Sequence, residues 1–503
     1  MSAADPSTAV PRLAGPLLSL LTFAAYLSTL GFEFVHFDDL TYVVRNPHLG
    51  DGLSFTTLQW AFTTSYFAWW HPLTWVSHLL DVRLFGTWAG GHHLTSAALH
   101  ALNAWLALSV LRRLGLAPAL ALVATAAFAW HPMRVESVAW VSERKDVLSI
   151  TFALLTTLAF LRYQSSPTPA RYALLPLAFL AALASKVMVM TLPVTLFALG
   201  RWALPARRPL RRLALETIPL LGLSAAASAA VFSRQSHEGA VATVAAMEPL
   251  ERLAGVPVAL AGYLTKTVWP FELCCLYPRL PLTTGEVVGS TLLVTAVLAS
   301  AVACFARTRN AGPLLGLGLF VVCVSPVLGL VQTGEQLFAD RYSHLGHLAL
   351  FGGLASAAPV GWLSRRPVQL AVVGALLTLF VTTVFQAQTW RDTDTLYGHA
   401  LEVEPHNPPI QRRVEGLVVE RALAAVELPL ALQAADVLIA RWPGNGRVWI
   451  LAGTASATAG RYDDAVARFQ RALQLEPGNQ DAQRFLTFAM EDRARATKGA
   501  VSP

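Results

Sequence analysis

Long apolar runs recur along this chain, and they restrict its fold more than any other feature of the sequence. A helix needs about 20 apolar residues to cross a hydrocarbon core about 30 Å thick. Runs of roughly this length occupy residues 13–32, 93–111, 213–232, 287–305, 314–331, 345–363 and 368–386, with shorter or proline-interrupted runs between 116 and 204. Because a backbone in lipid must satisfy its own hydrogen bonds, the pattern predicts an all-α polytopic membrane bundle of about 11 spans.

The composition supports this class and excludes others. Hydrophobic residues make up 54% of the 503 residues and charged residues 14%, whereas about a quarter of a soluble domain is charged. The net charge of +7 does not indicate a nucleic-acid partner, because the basic residues lie in short loops between apolar runs. The four cysteines lack metal-binding spacing and are expected to be buried thiols. The first run lacks a cleavage motif after it, so we expect an uncleaved anchor.

The basic residues also predict the orientation of the chain. Loops rich in arginine face the cytoplasm by the positive-inside rule, and such clusters lie at 112–113, 162–171, 201–212, 307–309 and 365–366. Four regions then lie on the non-cytoplasmic side, together with everything after residue 386: 33–92, 131–146, a turn near 185–186, and 332–344. The stretch 253–271, interrupted by Lys266 and Pro270, does not fit this count as a crossing, so we expect it to be re-entrant or interfacial.

Two adjacent aspartates, Asp38 and Asp39, directly follow the first apolar run. The hydrophobic segments otherwise exclude acidic groups, because it is costly to desolvate a carboxylate that has no function. Paired carboxylates at the rim of a membrane span therefore indicate cation binding or acid–base chemistry.

A second charged segment on the same predicted side, 131–149, reads HPMRVESVAWVSERKDVLS. Basic residues in this segment, and Lys186 and Arg341 further along, lie on the side where the positive-inside rule does not require them. An anionic partner such as a lipid phosphate would account for them. Solvated loops, or ion pairs with Glu136, Glu143 and Asp340, account equally well for any single one.

Tryptophan and histidine crowd the first predicted outside loop. Tryptophan is enriched at the bilayer interface, so an interfacial helix is the simplest interpretation of Trp60, Trp69, Trp70, Trp75 and Trp88. The histidines include three that could form hydrogen bonds to a sugar or phosphate, namely His71, His92 and His93. The two His-Pro pairs are also explained by a structural role at helix starts. No histidine pair has zinc-type spacing, so no metal site is expected.

Six blocks of sequence, in this order, resemble one family. They are FDD at 37–39, WHPLTWVSHLLD at 70–81, GHHLT at 91–95, HPMRVESVAWVSERKDVLS at 131–149, SKVMVMTLP at 185–193 and ADRYSHL at 339–345. They resemble the membrane half of the transmembrane and tetratricopeptide-repeat O-mannosyltransferase family and its bacterial relatives. That family is similar to the C-type glycosyltransferases, so the resemblance implies a multi-span enzyme that takes a sugar from a polyprenyl-phosphate carrier on the non-cytoplasmic side.

The resemblance also implies roles for particular residues. Asp38 and Asp39 match the acidic pair that carries the catalytic base, which would deprotonate a hydroxyl acceptor. Basic side chains would hold the lipid phosphate, and the whole predicted substrate-binding set is His71, His92, His93, Glu136, Glu143, Arg144, Lys145, Lys186, Arg341 and Tyr342. The leaving phosphate is already ionised, so no cofactor is required and a divalent cation would be optional. The expected partners are the polyprenyl-phosphate-linked sugar, a protein or peptide acceptor and membrane lipid, without nucleic acid.

A polytopic transporter or lipid flippase is the alternative, because intramembrane charges and half-length helices also mark substrate paths. A transporter would line its mid-membrane with ionisable groups and show paired halves. Here the charges gather on one predicted face and no internal repeat of the spans is evident, so a glycosyltransferase is favoured.

The part after residue 390 changes character. Pro443 and Pro477 are 34 residues apart, which is the length of a tetratricopeptide repeat. We therefore divide the chain into a membrane domain, 1–390, and a repeat domain, 391–503, with units at 412–445 and 446–479 and a capping helix at 480–498. The repeats would either stabilise the enzyme or hold a protein acceptor. Periplasmic repeats on a bacterial inner membrane, or repeats in the lumen of the endoplasmic reticulum, fit this arrangement.

Overall fold

The computed structural model describes residues 13–50, 52–64, 66, 70–204, 209–237, 248–329, 335–359 and 361–499. Some residues that belong to predicted features lie outside these ranges: Trp69, Arg207, Arg208, residues 330–334 and residue 360. Within the described part the chain is almost entirely helical, which confirms the all-α fold class. The strands described there are β1 (Tyr277–Pro278) and β2 (Gln336–Phe338), which form one short antiparallel pair.

Sixteen α-helices that begin before residue 400 are described, and short turns connect most of them. In chain order they are α1 (Ala14–Ala24), α2 (Phe55–Thr63), α3 (Pro72–Phe85), α4 (Ala89–Arg113), α5 (Pro118–Ala129), α6 (Val135–Ala139), α7 (Arg144–Ser165), α8 (Pro169–Ser185), α9 (Leu192–Ala198), α10 (Leu210–His237), α11 (Pro249–Val268), α12 (Thr284–Thr308), α13 (Gly312–Val324), α14 (His344–Ser356), α15 (Arg366–Gln388) and α16 (Thr393–Val403).

The chain divides into two compact units. We call residues 1–232, 247–332 and 336–399 the membrane unit, and residues 233–246, 333–335 and 400–503 the C-terminal unit. The domain boundary that the sequence places after residue 390 stays a prediction.

Six helical segments in the described part are long and apolar enough to cross a bilayer. They are Ala14–Gly31, Ala89–Arg113, Val141–Ser165, Leu210–Ser233, Thr284–Thr308 and Arg366–Gln388. They indicate an integral, multi-pass membrane protein. The count of about 11 spans stays a prediction. The stretch expected to be re-entrant falls largely in α11, a continuous helix of 20 residues that is not one of the six.

Burial separates central from peripheral spans. The percentages refer to the residues of an apolar 18-residue stretch in each span. In α4 56% of them are buried, and in the span that contains α7 61% are buried, whereas the values are 0% for α12 and 6% for α15. A buried amide joins the two central helices, because Asn103 donates to the carbonyl oxygen of Val147 at 2.8 Å and accepts from Thr151 Oγ1 at 2.8 Å. Such polar contacts and close small-residue crossings hold membrane helices together where the lipid gives no hydrophobic driving force.

Interruptions of the helices place polar residues together. Residues 131–149 are broken into a 3₁₀ turn (Pro132–Arg134), α6, a second 3₁₀ turn (Val141–Glu143) and the start of α7. Similarly, α8 ends at Ser185 and a 3₁₀ turn begins at Val187, so Lys186 lies at a break between helices. Five of the twelve predicted site residues lie at or next to these breaks: Glu136, Glu143, Arg144, Lys145 and Lys186.

The C-terminal unit is a series of helix pairs. It contains α17 (Pro408–Ala424), α18 (Leu428–Arg441), α19 (Gly446–Thr458), α20 (Tyr462–Leu475) and α21 (Gln480–Gly499). In the unit predicted at 446–479, Ala465, Phe469 and Ala472 are buried, and a Cβ on Gly453 would lie 2.6 Å from the Phe469 ring. Gly453 thus allows this close contact between α19 and α20, and the tetratricopeptide assignment itself stays a prediction.

Candidate functional site

The two adjacent aspartates lie in different environments. Asp39 is fully buried, and its Oδ1 accepts hydrogen bonds from the backbone N–H of Ser142, at 2.8 Å, and from the Ser142 hydroxyl. Its Oδ2 accepts from the backbone N–H of Val35 at 3.2 Å. Asp38 is half-buried, and its charge acts on Asp39 and on Tyr42. Asp39 thus joins the first charged segment to the second, while Asp38 keeps part of its surface exposed.

Burial governs the ionisation of Asp39. Removal from water raises the pKa of its carboxyl group, the hydrogen bonds from Ser142 and Val35 lower it, and the charge of Asp38 raises it again. The net result is a pKa of about 6. Two acidic groups side by side therefore differ in solvent access and in hydrogen bonding.

The second segment is not a solvated loop. Glu136, Glu143, Arg144 and Asp146 are each at most 5% exposed, and Lys145 is only partly exposed. The interpretation of these residues as ordinary solvated charges is therefore wrong. Buried ions need partners, and here the partners come from distant parts of the chain.

Three cations surround the carboxylate of Glu143. Lys145 Nζ lies 3.1 Å from its Oε1, Lys186 Nζ lies 2.7 Å from its Oε2, and Arg341 Nε lies 3.6 Å from Oε1. Lys145 also donates to the carbonyl oxygen of Ser142 at 3.0 Å. Because Ser142 binds Asp39, Asp39 and the three cations belong to one connected site. We call Lys145, Lys186 and Arg341 the cation cluster.

Further acids neutralise this cluster. Glu136 pairs with the Arg341 guanidinium and accepts from the Arg341 backbone N–H at 2.8 Å, and Lys186 Nζ lies 2.7 Å from Asp146 Oδ1. Burial opposes the charge of Lys186, but Asp146 and Glu143 more than offset it and raise its pKa. Likewise, burial opposes the charge of Arg341, and Glu136 more than offsets it, so the pKa of Arg341 is raised. Both groups are therefore cations at neutral pH.

Aromatic rings line the cation cluster. Lys145 Nζ lies 5.1 Å from the centre of the Tyr42 ring, and the Arg341 guanidinium lies 4.6 Å from that of Tyr342 and 5.5 Å from that of Trp140. These distances suit cation–π attraction. His71 forms a hydrogen bond with the Tyr42 hydroxyl. Burial and the charge of Lys145 hold the pKa of His71 well below its usual range, so this ring is neutral.

Three other predicted binding residues, Arg144, His92 and His93, have different surroundings. Arg144 is fully buried, pairs with Asp81 and donates to the carbonyl oxygen of His92 at 2.6 Å. His93 is also buried and meets the ring of Phe32 edge to face at 6.0 Å. No contact joins these three directly to the cation cluster among the contacts described.

A cluster suited to a metal ion lies beside Arg144. One ligand atom each from His78, Asp81 and His92 can be chosen so that all lie within 4.8 Å of one another. His78 and Asp81 are three residues apart on α3, and the positive φ of Gly86 (61°) allows the turn that leads to His92 on α4. The spacing of the histidines does not indicate this set, although the i, i+3 spacing of His78 and Asp81 places both residues on one face of a helix.

An apolar cavity of about 440 Å³ lies in the same unit. Its lining includes Leu111, Leu154, Leu192 and Leu348, and it shares Cys323 and Leu345 with a smaller cavity of about 20 Å³. The smaller cavity is bordered by Asp146, Arg341 and Tyr342. A hydrocarbon-lined space therefore adjoins the cation cluster.

The structure corrects one further expectation and agrees with two others. Trp75 is completely buried against Tyr42, with ring centres 4.3 Å apart, so it is a core residue rather than part of an interfacial shelf. Trp88 is 54% exposed, which fits the interfacial interpretation. Three of the cysteines are buried and none of the four is in a disulfide, as expected.

Comparison with known proteins gives partial matches. No family model matches the chain. It is 33% identical to Protein O-mannosyl-transferase Tmtc2 of Drosophila melanogaster over 154 residues, which is 28% of this chain and 16% of that protein. It is 34% identical to Protein O-mannosyl-transferase TMTC1 of Mus musculus over 174 residues, which is 31% of this chain and 17% of that protein. The chain thus matches about a sixth of the length of these relatives.

Proposed function

We propose that this protein is a membrane glycosyltransferase that moves a hexose such as mannose from a polyprenyl-phosphate carrier to a hydroxyl group, on a protein acceptor and on the non-cytoplasmic face. The observation that carries the proposal is the connected site: Asp39, the chain neighbour of the half-buried Asp38, is joined through Ser142 to Lys145 of the buried cation cluster. The two relatives named as protein O-mannosyl-transferases support the same class of reaction.

Asp38 is the better candidate for the base. A general base must reach the proton that it removes, and Asp38 is partly exposed whereas Asp39 is fully buried. In this mechanism the acceptor hydroxyl gives its proton to the Asp38 carboxylate as its oxygen bonds to the anomeric carbon. The bond between that carbon and the phosphate oxygen breaks, and the electron pair leaves with the polyprenyl phosphate. Asp39 fixes the loop through Ser142 and so positions its neighbour.

The cation cluster would stabilise the departing phosphate. Electrostatic groups that are already in place contribute most where charge develops in the transition state. Lys145 is the most exposed of the three cations, with 13% of its side chain accessible, so it is the first that an incoming phosphate would meet. Arg341 and Lys186 would add a guanidinium fork and a second ammonium group. Glu143 would hold the three cations in position before the donor binds.

The remaining predicted residues would act around this centre. His71 would offer a neutral ring beside Tyr42, and Tyr342 would present an aromatic face next to Arg341. Arg144, His92 and His93 would stabilise the surrounding loop without contacting the cation cluster. The apolar cavity, which shares Cys323 and Leu345 with the small cavity at Arg341 and Tyr342, would suit the first part of a polyprenyl chain. A peptide acceptor could be held by the helix pairs of the C-terminal unit.

The test is transfer from a polyprenyl-phosphate-linked mannose to peptide acceptors by the full chain in reconstituted membranes. We expect Asp38→Asn to lower kcat by roughly 100 to 10,000-fold. Lys145→Met should raise KM for the donor, because it removes a charge that faces the phosphate. Glu33→Gln is the matched control, since Glu33 is an exposed acid in the same loop. Full activity in Asp38→Asn and in Asp39→Asn would remove the base assignment.

A further inference from the structure

The cluster of His78, Asp81 and His92 has no part in the proposed transfer reaction. All three side chains are at most 1% exposed. Asp81 accepts a hydrogen bond from Thr95 at 2.8 Å through Oδ1 and pairs with Arg144 through Oδ2. The two histidines are less well held: His92 has a hydrogen-bond partner at one ring nitrogen only, and His78 has none among the described residues.

One ring nitrogen of His92 faces a carboxylate oxygen of Asp81, and both atoms are hydrogen-bond acceptors. His92 Nε2 lies 3.1 Å from the carbonyl oxygen of Gly86, and because a carbonyl can only accept, this nitrogen carries the proton. In the neutral ring, Nδ1 is then a bare lone pair. It faces Asp81 Oδ2 at 3.6 Å. Two buried acceptors that face each other are unfavourable unless a cation lies between them or the ring is protonated.

His78 completes the arrangement from the same helix as Asp81. Both of its ring nitrogens are buried and have no hydrogen-bond partner among the described residues. Its ring lies nearly parallel to that of His92, with centres 6.1 Å apart. A buried imidazole nitrogen without a partner is uncommon, and here it adjoins two further acceptors.

We propose that His78, Asp81 and His92 bind one divalent transition-metal ion of the zinc class. Two imidazoles and one carboxylate are a ligand set that zinc accepts, with a fourth position left for water. Arg144 donates to both Asp81 and the His92 carbonyl, so it orients two ligands in the way that outer residues orient metal ligands. Its positive charge is partly offset by Asp39, which acts on it electrostatically.

The ion would join two helices directly, and Arg144 would link a third helix to them. His78 and Asp81 lie on α3, His92 lies on α4, and Arg144 is the first residue of α7. The next residue after Arg144 is Lys145, so the metal would fix the start of the helix that carries part of the cation cluster. This inference does not depend on the proposed function, because its test measures metal content and not transfer.

The experiment is metal analysis of the full chain, purified in detergent with a tag that lacks histidine and without chelator. We expect close to one zinc ion per wild-type chain by mass spectrometry of the elements. His78→Ala and His92→Ala should reduce the metal content to background. Arg144→Gln should weaken metal affinity by about 10 to 100-fold. His100→Ala is the matched control, because His100 is a fully buried histidine on α4 that lies outside the cluster.

Cobalt provides a second readout that does not depend on the folding of a variant. Wild-type protein stripped of metal and given Co²⁺ should show the visible absorption of a four-coordinate nitrogen and oxygen site, and Zn²⁺ should abolish it. Wild-type protein that carries no metal and takes up no Co²⁺ would overturn the proposal, and would favour a protonated His92 paired with Asp81. Metal content that is unchanged in both ligand variants would overturn it as well.

Discussion

At the residue scale, the site shows how neighbours in sequence acquire different chemistry. Asp38 and Asp39 are identical side chains, yet one is half-buried and the other accepts three hydrogen bonds in a fully buried position. Their spacing identified them as candidates from the sequence. Their division into a base and a positioning group depends on Ser142 and Val35, and Ser142 is more than 100 residues away in the chain.

The raised pKa of Asp39 predicts a pH-dependent stability. The folded-state pKa of about 6 lies above the ordinary value of 3.8, so between these values the folded chain holds a proton that the unfolded chain has released. Stability therefore falls as pH rises from about 4 to 6, by roughly 3 kcal/mol at most, and is constant above that range. Thermal unfolding of the wild type in detergent across this range should show the fall.

Asp39→Asn provides the comparison, since it removes the titrating group and keeps one oxygen acceptor for Ser142. We expect the difference in unfolding temperature between wild type and Asp39→Asn to change across this pH range and not above it. Glu33→Gln should keep the wild-type slope. An identical slope in wild type and Asp39→Asn would show that another carboxyl group is responsible.

At the element scale, helix crossings are set by small residues whose role is not evident from hydropathy. On α13, Gly316 faces α14, and a Cβ there would lie 2.6 Å from the carbonyl oxygen of Ala349 and 3.0 Å from Cα of Gly353. Two faces of the same helix thus differ sharply, because a Cβ on Gly318 would meet nothing within 4 Å. The apolar run predicts the helix, but it does not show which face contacts a neighbour.

This difference predicts opposite effects of one substitution. Gly316→Ala should force α13 and α14 apart and destabilise the protein by about 1 to 3 kcal/mol. Gly318→Ala should be neutral or stabilising by up to about 1 kcal/mol, because alanine is the better helix former. The unfolding temperatures of both variants in detergent check this, and equal losses in the two would contradict the close crossing.

At the scale of the whole molecule, the proposed reaction depends on sidedness. The positive-inside rule puts the loop after α1 and the end of α4 on opposite sides of the membrane. Glu33 and Arg113, at these two places, are both exposed in the structure. Asp38, only a few residues after Glu33, would then face the non-cytoplasmic compartment, where the carrier-linked sugar is expected.

Cysteine labelling tests this orientation. In a background from which the half-buried Cys304 is removed, Glu33→Cys should react with a membrane-impermeant maleimide added to the non-cytoplasmic side. Arg113→Cys should react only after the membrane is permeabilised. Labelling of both from one side would contradict the predicted topology and, with it, the side proposed for the reaction.

The sequence by itself determined the all-α membrane class and the helical C-terminal part, and it marked Asp38, Asp39, Lys145, Lys186 and Arg341 as candidates, because apolar run length and the cost of buried charge are local properties. It did not determine that Trp75 is a core residue, that Glu143 lies at the centre of three cations, or that His78, Asp81 and His92 come together. Those facts depend on contacts between helices distant in the chain. Only the tertiary structure decides which buried charges become partners, because each one requires a counter-charge in three dimensions.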